Sequence, residues 1–316
     1  MTPSKGLAIM PSPKLEKWFT VSILLGPPLI FIVIFYFLPV ALTIAIAFTN
    51  MDYRFQWNFI GFKNFERMIK DPILPKILMN TLFYVFATLT LFNVGYGLLL
   101  AIFTSFVPPK FGNTVRLLWL LPRLSPPVVY YLLWLGLTNP YPYGLINYFL
   151  VDVLGLKEYA DVYWIYKAPW AVIILANGFV GASFGMLIIG SAIKAIPIDV
   201  VRAAKVDGAG MFRMIKDIIL PILKWPILFV TAYQTLSLLT SFEYILLLTD
   251  GGPGFYTTEV WALYVYHKAL SAFGGFEYAY GAALSLILVV LGLALSILYF
   301  KIFRFREMIL EPKIEV

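Results

Sequence analysis

The sequence has no cysteine, a single histidine, His267, and charge on only 13% of its 316 residues. The first absence excludes a disulfide framework and any thiolate-held metal, and it leaves the redox compartment undetermined. The second leaves little room for imidazole chemistry, and His267, between Tyr266 and Lys268, reads as a surface residue rather than a ligand. Motifs for an enzyme working at a bilayer are missing too: there is no HExxH pair, no clustered Asp motif for a metal diphosphate and no nucleophile elbow. A GxxxxGK[ST] phosphate loop is also absent, so any ATP has to be handled by another subunit.

What is present is apolar surface. The chain is 61% hydrophobic with a mean hydropathy of +0.84, and its charged share is about half that of ordinary soluble domains, roughly 25%. The formal charge of +7 fits basic loops that orient spans better than a nucleic-acid surface. A helix crossing the hydrocarbon core needs about 20 mainly apolar residues. Uncharged runs, together with one interrupted only by Glu243, predict six such helices, at about 18–48, 77–106, 117–138, 168–193, 225–249 and 278–303. The fold class expected is therefore an all-α integral membrane domain, one unit over 18–303. The positive flank in residues 1–17 is signal-like, but the run after it is too long and lacks a small-residue cleavage site, so it reads as a retained anchor. Fifteen of the 24 Lys and Arg fall on one side, which predicts a cytoplasmic segment at 1–17, a cytoplasmic tail at 304–316 and a cytoplasmic loop at 194–224.

That loop reads "IPIDVVRAAKVDGAGMFRMIKDIILP". Pro197 suits a first helical turn, Asp199 favours the positive end of a helix dipole, and Ala203 and Ala204 are strong helix formers. Asp207-Gly208 is a turn signal, after which a second helix from about Gly210 to Leu220 would carry Phe212, Ile215 and Ile219 on one stripe, with Pro221 at its stop or bend. A linking loop and a docking device both fit this composition.

The spacing Arg202-Ala203-Ala204, three residues, Gly208, nine residues, Ile218-x-Leu220-Pro221 resembles the E-A-A, x3, G, x9, I-x-L-P signature of the permease subunits of ATP-binding-cassette importers. Only Arg202, in place of Glu, departs from it. "LTDGGPGFYTTEVWALYVYHKAL", "FIGFKNFERMIKDP", "LLPRLSPPVVYYLLWLGL" and "YGLINYFL" resemble segments of its carbohydrate branch, the maltose and glycerol-3-phosphate type, so the likeness runs from about 18 to 303.

The resemblance implies a type I importer permease with a cytoplasmic coupling helix and no chemistry of its own. A second permease, two cytosolic ATPase subunits that bind ATP and Mg, and an external binding protein delivering a mono- or oligosaccharide would complete the complex in the plasma membrane. Arg202, Ala203, Ala204, Asp207, Gly208, Ala209 and Phe212 would form the ATPase-coupling surface. The small residues allow close approach, and Arg202 would need an acidic or neutral partner, or would pair internally with Asp199.

Family positions for sugar contact fall on Asn177, Gly181, Ser183 and Phe184 in the fourth span and on the face of the fifth shared by Gln234, Ser237 or Leu238, and Ser241. Glu243 is expected to face a cavity, a partner or the surface. Helix packing is the competing reading for the small and polar members. Arg123, about one turn inside the third span, is expected to snorkel to the headgroups, with a gating or partner salt bridge as the alternative. With no basic group in mid-span, neutral sugars are preferred over glycerol-3-phosphate. A self-sufficient secondary transporter, the rival class, should carry more intramembrane charge or paired broken helices, and no internal repeat is visible.

Overall fold

The computed structural model describes residues 13–302, so the first 12 residues of the predicted amino-terminal segment and the predicted tail 304–316 lie outside the described residues. Among the described residues four helices are long and apolar enough to cross a membrane: α1 (Thr20–Ala47), α3 (Leu74–Phe106), α6 (Pro169–Lys194) and α12 (Tyr278–Ile302). They correspond to the first, second, fourth and sixth predicted spans. Short α2 (Lys63–Lys70) precedes α3. Among the described residues the only strand-like pairing is an isolated bridge between Thr49 and Phe59.

The third and fifth predicted spans are each broken, which corrects the single helices expected at 117–138 and 225–249. The third begins earlier, as α4 (Pro109–Leu124), and resumes as α5 (Pro127–Thr138). The sequence Ser-Pro-Pro explains the interruption. Ser125 precedes a proline and is driven to extended backbone, ψ 142°, and Pro126 follows it at ψ 138°, because a proline ring disfavours helical backbone in the residue before it. The fifth span runs as α9 (Lys224–Thr240), breaks at Ser241 and Phe242, and resumes as α10 (Glu243–Leu248). No proline marks this break. Instead the Ser241 hydroxyl accepts a hydrogen bond from Asn177 Nδ2 at 3.1 Å, an alternative to helical pairing of the kind Ser offers.

Between α6 and α9 lies a helix-turn-helix. α7 (Ile198–Val206) ends at Gly208, whose φ of 77° only glycine adopts freely, and Ala209 N–H closes the turn on Ala204 O at 2.9 Å. α8 (211–222) passes through a π-turn at Ile215–Ile219 and continues over Pro221 to Ile222, so Pro221 does not stop it. The buried face of α8 is Met214 and Ile219, which join Ala101 and Ile189. Phe212 is 79% exposed, which corrects the predicted stripe.

Within the chain 67% of the α6 apolar window is buried, against 0% for α1. Small residues make α6 central. A Cβ on Gly185 would lie 2.2 Å from Asn93 O, and one on Gly97 of α3 would lie 3.1 Å from Gly185 Cα, so the two backbones touch, as small-residue interfaces permit. Asn93 belongs to a π-turn (Leu89–Tyr96) inside α3. Gly185→Val should therefore overpack this contact, at a cost of about 1–3 kcal/mol, and lower the thermal unfolding midpoint of the detergent-solubilised protein. Gly190→Ala, whose new Cβ would meet nothing nearer than 3.8 Å, should leave that midpoint near wild type.

Candidate functional site

The two helix breaks meet α6 around a cavity of about 430 Å³. α6 contributes Asn177 and Gly181, and the fifth span contributes Gln234, Leu238, Ser241 and Glu243. Six of the eight residues predicted from sequence are thus brought together. Ser183 is not among them: it is fully buried and its hydroxyl donates to Val180 O at 2.6 Å. Phe184 stands behind the wall, stacked on the lining residue Tyr233 with ring centroids 4.7 Å apart.

Packing and lining roles fall on the same side chains. Gln234 Nε2 donates to Gly181 O at 3.0 Å. Asn177 donates to Ser241 and to the Tyr84 hydroxyl. A Cβ on Gly181 would lie 2.0 Å from Asn93 Oδ1, so this glycine is required by α3 whatever enters the cavity. Glu243 faces the cavity, one of the positions expected for it.

Arg123 overturns its expectation. It ends α4 next to the Ser-Pro-Pro break, lines the same cavity, and holds its guanidinium 5.5 Å from the centre of the Phe184 ring. It stands in the middle of the broken third segment rather than one turn from its start, and it brings a basic group into the cavity lining. Ser237, the alternative to Leu238, lines the cavity beside it, and Tyr233, Thr240 and Tyr244 do so without having been singled out. The proline pair after Ser125 was the available signal for a break, and hence for Arg123.

The predicted coupling residues divide into two sets. Arg202, Ala203, Asp207 and Phe212 are exposed, Ala209 is half-buried, and Ala204 is buried inside the chain, so Ala204 supports α7 from behind. A Cβ on Gly208 would meet nothing within 4 Å, and the cost of substitution there is backbone strain. The Arg202 and Asp199 side chains form an exposed pair at 3.5 Å.

His267, expected at the surface, is instead clamped between two acids. It lies on α11 (Trp261–Leu270), its side chain 19% exposed, with Nδ1 2.8 Å from Glu259 Oε1 and Nε2 2.9 Å from Asp250 Oδ1. Only the imidazolium can donate to both carboxylates at once. The hydrogen bond that His267 donates to Glu259 raises the His267 pKa above its ordinary value. Burial pushes the Glu259 carboxyl up as well, with the His267 contact opposing it. The clamp closes the Gly-Gly-Pro loop (251–253), which Asn80 Nδ2 also grips through Tyr256 O and Glu259 O, each at 3.0 Å.

Four helices long and apolar enough to cross a membrane, with two further broken helical segments meeting around a polar cavity, are the frame of a membrane permease. Residues 93–306 match the family model described as binding-protein-dependent transport system inner membrane component. The chain belongs to that family. It is 29% identical to the sulfoquinovosyl glycerol transport system permease protein SmoG of Agrobacterium fabrum, over 93% of this chain and 96% of that protein. It is 30% identical to the trehalose/maltose transport system permease protein MalF of Thermococcus litoralis, over 89% and 92% respectively. A solved bacterial ABC transporter involved in import of the acidic polysaccharide alginate contains a chain that superposes with a TM-score of 0.80 at 25% identity, covering 92% of this chain and 97% of that one.

The His267 clamp gives a pH dependence of defined sign. Both His267 and Glu259 have pKa values raised by folding, so the folded state binds more protons and stability falls as pH rises. The His267 contribution should be full below its ordinary value of 6.5 and disappear as pH climbs through the raised one. Thermal unfolding midpoints measured from pH 6 to pH 9, roughly spanning the His range, should fall. His267→Gln should lower the pH 6 midpoint and flatten the profile.

Proposed function

We propose that this chain is one permease subunit of an ATP-driven saccharide importer. Residues 18–303 form its six-crossing membrane domain, both termini face the cytoplasm, and 194–224 is the cytoplasmic coupling loop. The observation that carries the reading is the helix-turn-helix set between two crossings, with Arg202 and Phe212 on its exposed surface and Gly208 at φ 77° in its turn. The family description and the carbohydrate names of the two relatives support the solute class. A second permease supplies the other half of the path, and a binding protein delivers solute to the face bearing the Gly-Gly-Pro loop.

Two ATPase subunits bind ATP and Mg, and each docks one coupling loop. Closure of the ATPases on nucleotide displaces α7 and α8, and the crossings joined to them, α6 and α9, rock with them. Arg202 is 72% exposed and its pair with Asp199 is 87% exposed on the acid side. Exposed pairs contribute about 0–1 kcal/mol, so Arg202 remains free to meet a partner. Its charge requires an acidic or neutral residue on the cognate ATPase.

Co-purification with an ATPase and a second permease tests the reading, and isolation as an active single component would defeat it. Gly208→Val should insert into the membrane normally yet abolish ATP-driven uptake by the reconstituted complex. Arg202→Glu should reduce ATPase coupling by about tenfold, the scale of one charged contact; unchanged coupling would mean that Arg202 merely pairs with Asp199.

A further inference from the structure

Arg123 and Glu243 are little used by the fold: the Arg123 guanidinium rests over the Phe184 ring, 5.5 Å from its centre, and Glu243 has no ion-pair or hydrogen-bond partner for its side chain among the described residues. Each flanks a helix break, Arg123 before Ser125 and Glu243 after Phe242, and both line the same cavity. Neither is in an ion pair or a side-chain hydrogen bond with another described residue, and both are exposed to the cavity side of the chain. Intramembrane charges without protein partners are costly, and where they persist they mark a path. They are the only carboxylate and the only cation in the lining, whose other polar members are amides and hydroxyls.

We infer that Arg123 and Glu243 are specificity-determining residues that bind the hydroxyls of an uncharged saccharide from opposite signs of charge. The inference rests on the permease reading above. A guanidinium presents a rigid fork of N–H donors that suits two neighbouring oxygen acceptors, and a carboxylate accepts from two hydroxyls. Tyr233 and Tyr244 add aromatic faces beside them, which suit the apolar faces of a sugar ring. The cavity volume, about 430 Å³, falls in the ordinary ligand-pocket range of roughly 300–1,000 Å³. The two charges cancel, so an anionic solute would satisfy Arg123 but confront Glu243, and a cationic one would do the reverse. A solute of zero net charge bearing vicinal hydroxyls uses both.

The test uses the intact complex of permeases and ATPases in detergent, without binding protein, with D-glucose and D-glucuronate as probes. Saturation-transfer NMR should show glucose binding to the wild type, with glucuronate no better. Arg123→Gln and Glu243→Gln should each weaken apparent glucose affinity about tenfold, the scale of one charge-assisted hydrogen bond, and Arg123→Lys should fall between. Unfolding midpoints should stay near wild type, whereas a structural role would lower them in step with the loss of binding. Binding indifferent to both neutralisations, or absent with both probes, would overturn the inference. So would preferential glucuronate binding that Glu243→Gln strengthens. If the complex itself does not assemble, the permease reading fails; if it assembles and binding ignores the two variants, only this inference does.

Discussion

The contact between α3 and α6 sets the rest of the structure. At Gly97 and Gly185 the two helices approach backbone to backbone, and Gly181 and Gly178 carry the contact onward against Asn93 and Phe92. α6 is thereby held in the middle of the chain, where it can present one face to α3 and another to the cavity. The Asn93 amide is the unsatisfied part of this arrangement: both its polar atoms are buried without a hydrogen-bond partner among the described residues, inside the π-turn of α3. Close packing and an unsatisfied amide occupy the same place because the glycines that allow the approach leave no donor or acceptor to meet it.

From that fixed wall the broken helices follow. Ser241 stands in the break of the fifth span and accepts from Asn177 of α6, while the Tyr84 hydroxyl of α3 lies within 3.4 Å of it. Three crossings are tied at one polar knot, and the knot is also part of the cavity wall. For such residues the choice between packing and solute contact dissolves, because the hydrogen bonds that fix the wall are what give it a polar surface. Arg123 and Glu243 differ in that neither enters this knot or an ion pair, the Arg123 guanidinium resting only over the Phe184 ring.

Much of this was legible in sequence, for identifiable reasons. Uninterrupted apolar runs located the crossings, and Asp207-Gly208 located the turn of the helix-turn-helix, since a glycine at positive φ is written directly in the chain. The breaks were not read. A charge-based count does not register Ser-Pro-Pro, and it started the third crossing too late, which moved Arg123 to the wrong end of its helix. Ser241 gave no local sign at all, because its partners lie 64 and 157 residues away. His267 was misread for a similar reason: its two carboxylates stand 8 and 17 residues off, at spacings that no helical or strand period predicts. Phe212 was grouped with Ile215 and Ile219 on one apolar stripe, and the π-turn between Phe212 and the end of α8 leaves Phe212 outward while Ile219 is buried.

The two breaks have a further consequence, for water. An α-helix ends with four carbonyls lacking intrahelical partners. Ser125 answers two of those at the end of α4, its N–H on Pro122 O and its hydroxyl on Leu121 O, and Ser241 N–H answers Leu238 O at the end of α9. Thr240 Oγ1 answers Ser237 O there as well. Carbonyls left over at these two ends need donors that lipid tails do not offer, and the cavity between them, lined by amides and hydroxyls, is where water can supply them. Entry is then an exchange of one set of hydroxyl donors for another, and a solute rich in hydroxyls can take over the hydrogen bonds of the water it displaces.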